Sequence, residues 1–453
     1  MDILVIGSGG REHAIIMKLA ESKRCGKLYC APGNGGISRF AECFNVKATD
    51  IDGMVVLAKQ LNPGMVVVAP DDPLVLGMTD AMQAAGFLTF GPTKAAAIIE
   101  GSKVFSKNLM KKYSIPTAGY ESFTDSALAI AYIKAQNTYP TVIKADGLAL
   151  GKGVIIAQDE AEAVAAIRSM LEDKVFGESG ARLVVEEFLT GPEVSVLCFT
   201  DGETLVPMVS SMDHKRALDG DEGLNTGGMG TVSPNPYYTD ALAAECMETI
   251  FLPTMRAMNA EERRFEGCLY FGLMLTEKGP KVIEYNCRFG DPETQVVLPL
   301  LDCDLIDVFE AVYHHRLAEV KIVVKPGFCT CVVMASKGYP QKYETGKVIS
   351  GLDEKGQARD VFVYHAGTTY ADGEFRTAGG RVLGVTGAGL TLQGALDRSY
   401  AAVKGIAFAE NYTHYRTDIG QRALAAFSTA PIAVDYKDDM EDYLEDNGVY
   451  LRQ

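Results

Sequence analysis

Across the first hundred residues, short apolar segments at 3–6, 28–30, 65–69 and 88–90 alternate with helical patterns near 12–20, 52–61 and 74–85. Parallel strands need long crossovers, and a helix is the usual one, so this alternation predicts a parallel α/β sheet. The first two segments run straight into glycine turns, Gly7-Ser8-Gly9-Gly10 and Ala31-Pro32-Gly33-Asn34. Turns of that kind let backbone amides and a helix dipole approach an anion.

A helix near 102–112 leads to Ile115-Pro116, and 117–190 then reads strand, helix, strand, glycine-rich loop, strand, helix, strand. Residues 191–325 carry strands at 193–199, 204–209, 268–276 and 281–286, a long polar loop at 210–236, and helices near 238–260 and 292–313. Short strands at 329–335, 361–365 and 381–386 and a helix at 391–406 follow. The stretch 435–453 holds seven acids against two bases and is expected to be a solvated tail.

The chain has 453 residues and a formal charge of −16, which argues against broad nucleic-acid or anionic-membrane binding. It has no run of 18 apolar residues and no basic leader, so neither export by that route nor a membrane span is expected. Ten scattered cysteines without a Cys-x-x-Cys suggest reduced thiols in a cytoplasmic protein.

Four motifs carry chemistry. The first is Gly7-Ser8-Gly9-Gly10-Arg11-Glu12-His13, where Glu12 stands at the third glycine of a dinucleotide fingerprint and no ribose-holding acid follows. Two adjacent glycine turns suit a sugar phosphate better, although tight turns packing helix on strand remain the alternative.

The second is Lys144-Ala145-Asp146-Gly147-Leu148-Ala149-Leu150-Gly151-Lys152-Gly153, a flexible loop between strands rather than a Walker loop. A lysine ending an apolar strand needs an anion, and a nucleotide phosphate would offset the burial of Lys144, unless the lysine snorkels. Downstream, Glu186, Glu187, Phe188 and Leu189 end a strand in a way that could frame an adenine, with Glu193 near a ribose.

In the third, Glu284-Tyr285-Asn286-Cys287-Arg288, strand alternation places Glu284 and Asn286 on one face, with Arg288 on the same side if the strand persists. Two oxygens suffice for magnesium, which completes its octahedron with water and phosphate, and a guanidinium beside them would clamp a phosphate or carboxylate. The fourth is the loop Asp213-His214-Lys215-Arg216 followed by Asn225-Thr226-Gly227-Gly228-Met229-Gly230, which could grip a carboxylate. No zinc-hydrolase or acyl-serine constellation is present in the sequence.

These segments, GSGGREHA, APGN, KADGLALGKGV, DHKR, NTGGMG and EYNCRFGDPETQ in this order, resemble the phosphoribosylamine-glycine ligases of the ATP-grasp superfamily over about residues 1–424. The resemblance implies an α/β protein: an N-terminal parallel α/β substrate domain (1–101), an ATP-grasp lid (102–190), a central α+β catalytic domain (191–325) and a C-terminal β-rich domain (326–424). The acidic tail (425–453) has no counterpart, and the lack of further modules implies a monofunctional enzyme of bacterial type. The implied reaction joins glycine to 5-phosphoribosylamine at the expense of ATP, with Mg2+ or Mn2+, in a cytoplasmic monomer that binds neither nucleic acid nor membrane.

By the same resemblance, Lys103 and Lys144 contact phosphates, Glu186 to Leu189 form the adenine hinge, Glu193 meets the ribose, and Gly147, Gly151, Lys152 and Gly153 belong to the lid. Glu284 and Asn286 match the metal ligands. Asp213, Lys215 and Arg288 fall at the catalytic floor. Gly9, Gly10, Arg11, Asn34, Asp71, Arg216, Asn225, Thr226, Gly227, Gly228, Met229 and Gly230 fall at the substrates. Asp71 stands where the family usually has glutamate, one methylene longer, Leu150 replaces an alanine, and Leu224 a proline. A nicotinamide oxidoreductase, a nucleotide sensor without turnover and a bicarbonate-using carboxylase are the rival readings.

Overall fold

A computed structural model describes residues 1–148 and 153–429. Five parallel strands form the N-terminal sheet in the order Glu42–Cys43, Leu28–Pro32, Ile3–Gly7, Met65–Val68, Thr89–Phe90. Ile3–Gly7 is buried along its whole length because helices cover both faces, as its unbroken apolar run requires. The chain winds outward in opposite directions from this central strand, so the Gly7 turn, the Pro32-Gly33-Asn34 turn and the Asp71 helix start lie together at the carboxyl ends of neighbouring strands. That is where open α/β sheets leave a crevice.

A four-stranded antiparallel sheet follows, in the order Tyr120–Phe123, Leu183–Glu187, Thr141–Ala145, Val154–Ala157, backed by the helices Ser126–Gln136 and Glu160–Leu171. The central sheet orders Leu205–Pro207, Glu193–Thr200, Gly267–Thr276 and Gly279–Asn286. Its last pair slips by one residue at Ile283, after which Glu284 and Asn286 look into the cleft while Tyr285 and Cys287 enter the core. The bulge thus sets which face the metal-ligand candidates share.

Several expected elements differ. The helix expected at 292–313 is broken, because Pro299 ends the turn begun at Thr294–Val297 and a new helix, Leu305–Tyr313, starts at the Asp304 cap. The helix expected at 74–85 is split at Gly77, whose φ of 102° no helix accommodates. The stretch 210–236 is no plain loop: Met212–Asp213 and Gly230–Ser233 extend the C-terminal sheet through Phe328–Ser336, and Arg216–Leu218 pairs with Glu222–Asn225 as a hairpin. Of the tail, residues up to Thr429 continue the helix Gln421–Thr429, and the rest lies outside the described residues. No described helix is long and apolar enough to cross a membrane.

Candidate active site

The candidate site gathers the carboxyl ends of the parallel sheet, the strand end Glu284–Arg288, the lid sheet and the loop after Met212, joined by contacts of Asp71 with Arg288, Lys144 with Ile283 O and Lys215 with Glu284. At its first wall the glycine turn is already closed by protein. Glu12, 1% exposed, accepts from the Gly9 amide and from Arg11 Nε at 2.7 Å, and Asp291 accepts from the Arg11 amide at 3.2 Å. A side chain at Gly7 would strike Glu12, and one at Gly10 would strike Gln295. The Arg11 guanidinium is buried against Phe289 O at 3.0 Å. Gly9 and Arg11 therefore do not offer the free donors that the sequence suggested, because carboxylates from within the fold occupy the helix N-terminus.

Beside this turn lies a cavity of about 410 Å3 lined by Ser8, Gly9, Gly33, Asn34, Asp291, Tyr339, Ala366, Gly367, Thr368, Ala378 and Arg381. Asn34 spends its amide on Ser8 O (2.8 Å), His365 O (2.7 Å) and the Ile37 amide (2.9 Å), so it shapes the wall by tying two domains together. Arg381 donates to Gly227 O at 2.6 Å and Asp291 O at 2.7 Å, with Asp291 Oδ1 at 3.5 Å. The cation facing the cavity thus comes from the C-terminal domain.

Lys144 ends its strand buried, but a carboxylate of the protein already balances it. Its Nζ lies 3.1 Å from Glu186 Oε2, and Lys107 Nζ reaches the same oxygen at 2.9 Å. Burial pulls the Lys107 ammonium down to about 8 against the pull of Glu186, and the two lysines hold Glu186 below the usual carboxylate range despite burial. Lys103 donates to Gly147 O at 3.0 Å. Glu186 therefore turns inward, its Oε1 buried with no partner among the described residues, while Glu187 is exposed beside Lys281 at 3.4 Å. Phe188, 36% exposed, follows with the half-buried Leu189, Gly153 is buried with its carbonyl accepting from the Ala145 amide at 2.8 Å, and Gly151 and Lys152 lie outside the described residues.

At the floor, Lys215 Nζ lies 3.1 Å from Glu193 and 3.5 Å from Glu284. Burial lowers the Lys215 pKa less than these carboxylates raise it. Glu284 is held below the usual range because Lys215, Lys144, Lys103 and Arg288 outweigh its own desolvation. Asp213 is pushed well above it by burial and by Glu293. Arg288 Nη2 meets Glu100 at 3.0 Å and Asp71 at 3.6 Å, and its Nε is buried with no partner among the described residues. Asp71 stays ionised because Arg288 and Arg11 overcome the cost of burial.

The loop amides are less available than expected. Gly228 donates to Thr226 Oγ1 at 3.0 Å, Met229 to His214 O at 2.8 Å, and Gly227 to Tyr339 Oη at 3.2 Å. Met229 is fully buried, Gly230 is paired in the sheet, and Arg216 turns back to Gly223 O at 2.7 Å beside its hairpin partner Asn225. The loop presents a shaped surface and Lys215 rather than a nest of free amides.

The donor set fits a hard divalent cation. Glu284 is ionised, and Asn286 spends both amide hydrogens on Glu100 (2.8 Å) and Tyr285 O (2.9 Å), leaving its oxygen without a partner among the described residues. No three His, Cys, Asp or Glu side chains gather to hold a metal among the described residues, so a cation here would need ligands from phosphates and water. Sequence reasoning missed Glu100, Lys107, Arg381 and Tyr339. Lys107 follows Lys103 by one helical turn, the only local signal among them.

Residues 1–100 match the phosphoribosylglycinamide synthetase N domain, 101–294 its ATP-grasp (A) domain and 329–422 its C domain. A phosphoribosylamine-glycine ligase of Halalkalibacterium halodurans is 48% identical over 425 residues, 94% of this chain and 98% of the relative. The crystal structure of the Thermotoga maritima phosphoribosylamine-glycine ligase superposes with a TM-score of 0.80 at 32% identity, over 92% of this chain and all of that one. A biotin carboxylase of Campylobacter jejuni shares the fold alone, with a TM-score of 0.70 at 13% identity over 91% of this chain and 92% of its own. With its three domains matched in order and relatives aligned over nearly their full length, this chain belongs to the phosphoribosylglycinamide synthetase family.

Proposed function

We propose that this protein is an ATP-dependent ligase that joins glycine to 5-phosphoribosylamine, giving glycinamide ribonucleotide, ADP and phosphate in purine biosynthesis. The observation that carries the reading is the convergence of Lys103, Lys144, Lys215 and Arg288 on Glu284, which they hold ionised despite burial, together with a cavity of about 410 Å3 at the glycine turn. Cations gathered from four elements at one buried strand end suit phosphates. The adjoining cavity suits the sugar phosphate, with Arg381 as its cation.

A carboxylate acylates an amine only after one of its oxygens becomes a leaving group, and the sequence offers no acyl-enzyme constellation. A glycine carboxylate oxygen would attack the γ-phosphorus, the bond to the ADP oxygen would break, and glycyl phosphate would form. The amine of phosphoribosylamine would then attack the carbonyl, losing a proton as phosphate departs with one glycine oxygen. Lys215 and Arg288, whose Nε has no partner among the described residues, would steady the charge that develops. Glu284 and Asn286 would hold Mg2+, or Mn2+, which supplies charge neutralisation between phosphates. The rim Glu187 to Leu189 would receive the adenine, with Glu193 near the ribose. All ten cysteines are free thiols, which supports a reducing, cytoplasmic setting.

Glycine labelled with heavy oxygen in its carboxylate should deliver one label to inorganic phosphate per turnover, and only when the amine is present. Unlabelled phosphate, or equal ADP formation with bicarbonate in place of glycine, would sink the reading.

A further inference from the structure

Glu100 ends the helix Lys94–Gly101 of the N-terminal region and is 7% exposed, yet its two oxygens accept from three consecutive residues of the catalytic strand end. Asn286 Nδ2 lies at 2.8 Å, the Cys287 amide at 2.7 Å and Arg288 Nη2 at 3.0 Å. A buried carboxylate is costly unless its lone pairs are satisfied, and here the partners that satisfy it belong to the candidate metal strand.

The consequence falls on Asn286. A side-chain amide has two nearly isosteric orientations, and only one turns oxygen toward a cation. Its second hydrogen goes to Tyr285 O at 2.9 Å, so the reversed amide would set its oxygen against the Glu100 carboxylate and the Tyr285 carbonyl together. Packing alone distinguishes the two orientations poorly, whereas a carboxylate does so strongly.

We propose that Glu100 is a positioning residue: by accepting from Asn286 Nδ2 it selects the amide orientation that presents Oδ1 as a metal ligand. Docking of the N-terminal region on the catalytic strand thereby becomes a condition for a competent metal site. The proposal rests on the reading of Asn286 as a ligand.

The test uses the full chain with saturating ADP and no turnover, following free Mn2+ by its paramagnetic resonance signal. Asn286→Ala should weaken Mn2+ binding; unchanged binding would overturn the ligand reading itself. With that reading standing, Glu100→Leu, which removes the acceptor, should weaken Mn2+ by about 10- to 100-fold, the range for a lost partner of a metal ligand, while affinity for metal-free ADP stays the same. On an Asn286→Asp background the same Glu100→Leu change should no longer weaken Mn2+, because a carboxylate presents oxygen in either orientation. Equal weakening on both backgrounds, as general damage would give, or no weakening by Glu100→Leu alone, would overturn the proposal.

Discussion

Lys144 and Glu186 are diagonal neighbours on adjacent antiparallel strands, Nζ 3.1 Å from Oε2, and Lys107 closes on the same oxygen from the helix Lys103–Lys112. One buried carboxylate thus serves two ammonium groups that the chain brings from different elements. The lid sheet and the helix before it are pinned to each other at this point.

Glu186→Gln should leave both ammonium groups without their anion and destabilise the fold by about 3–5 kcal/mol, the cost of breaking a buried charge cluster. Lys107→Met should cost less, since Lys144 still balances Glu186. Denaturant unfolding of the two variants orders them; the reverse order would contradict this account of the triad.

Glu284→Ala should lower kcat by about 10²-fold or more, through lost charge stabilisation in the transition state. The midpoint of thermal unfolding should also fall, because the four cations that hold Glu284 ionised lose that anion. Near-normal turnover at saturating Mg2+ would place the metal elsewhere.

Arg381→Lys should raise KM for phosphoribosylamine by ~10-fold or more and leave KM for ATP nearly unchanged. A lysine offers one nitrogen where Arg381 uses two, Nη1 on Gly227 O and Asp291 O and Nη2 at 3.5 Å from Asp291 Oδ1, while facing the cavity. An equal rise for both substrates would argue for general loosening of the domain contact.

His214 and His365 are buried, and burial pushes both down to about 4, for His214 with added repulsion from Arg416. The unfolded chain takes up these protons near pH 6.5, so the folded state holds this stability above pH 6.5 and loses it as pH falls toward 4. The loss should approach about 1.4 kcal/mol per pH unit for each histidine. Calorimetric unfolding at pH 5.5 in buffers of different ionisation enthalpy should show the proton uptake, and His365→Gln should reduce it by about one proton.

The sequence by itself determined the local elements and the motif positions. Apolar alternation with glycine turns marked the parallel sheet, because that periodicity is a property of neighbouring residues. The alternation of Glu284 and Asn286 was readable for the same reason. Pro299 and Gly77 broke expected helices through local backbone chemistry that the sequence also displayed.

Only the tertiary structure decided which charges meet. Glu186 as the anion for Lys144, Glu100 behind Asn286, and Arg381 against Gly227 and Asp291 pair residues 42, 186, 154 and 90 positions apart. The same holds for the Arg11 amide, which Asp291 takes from 280 positions away, whereas Glu12 caps Gly9 locally from three residues on. Hydrogen bonds between distant residues leave no periodicity in sequence, and burial makes them obligatory once the domains pack.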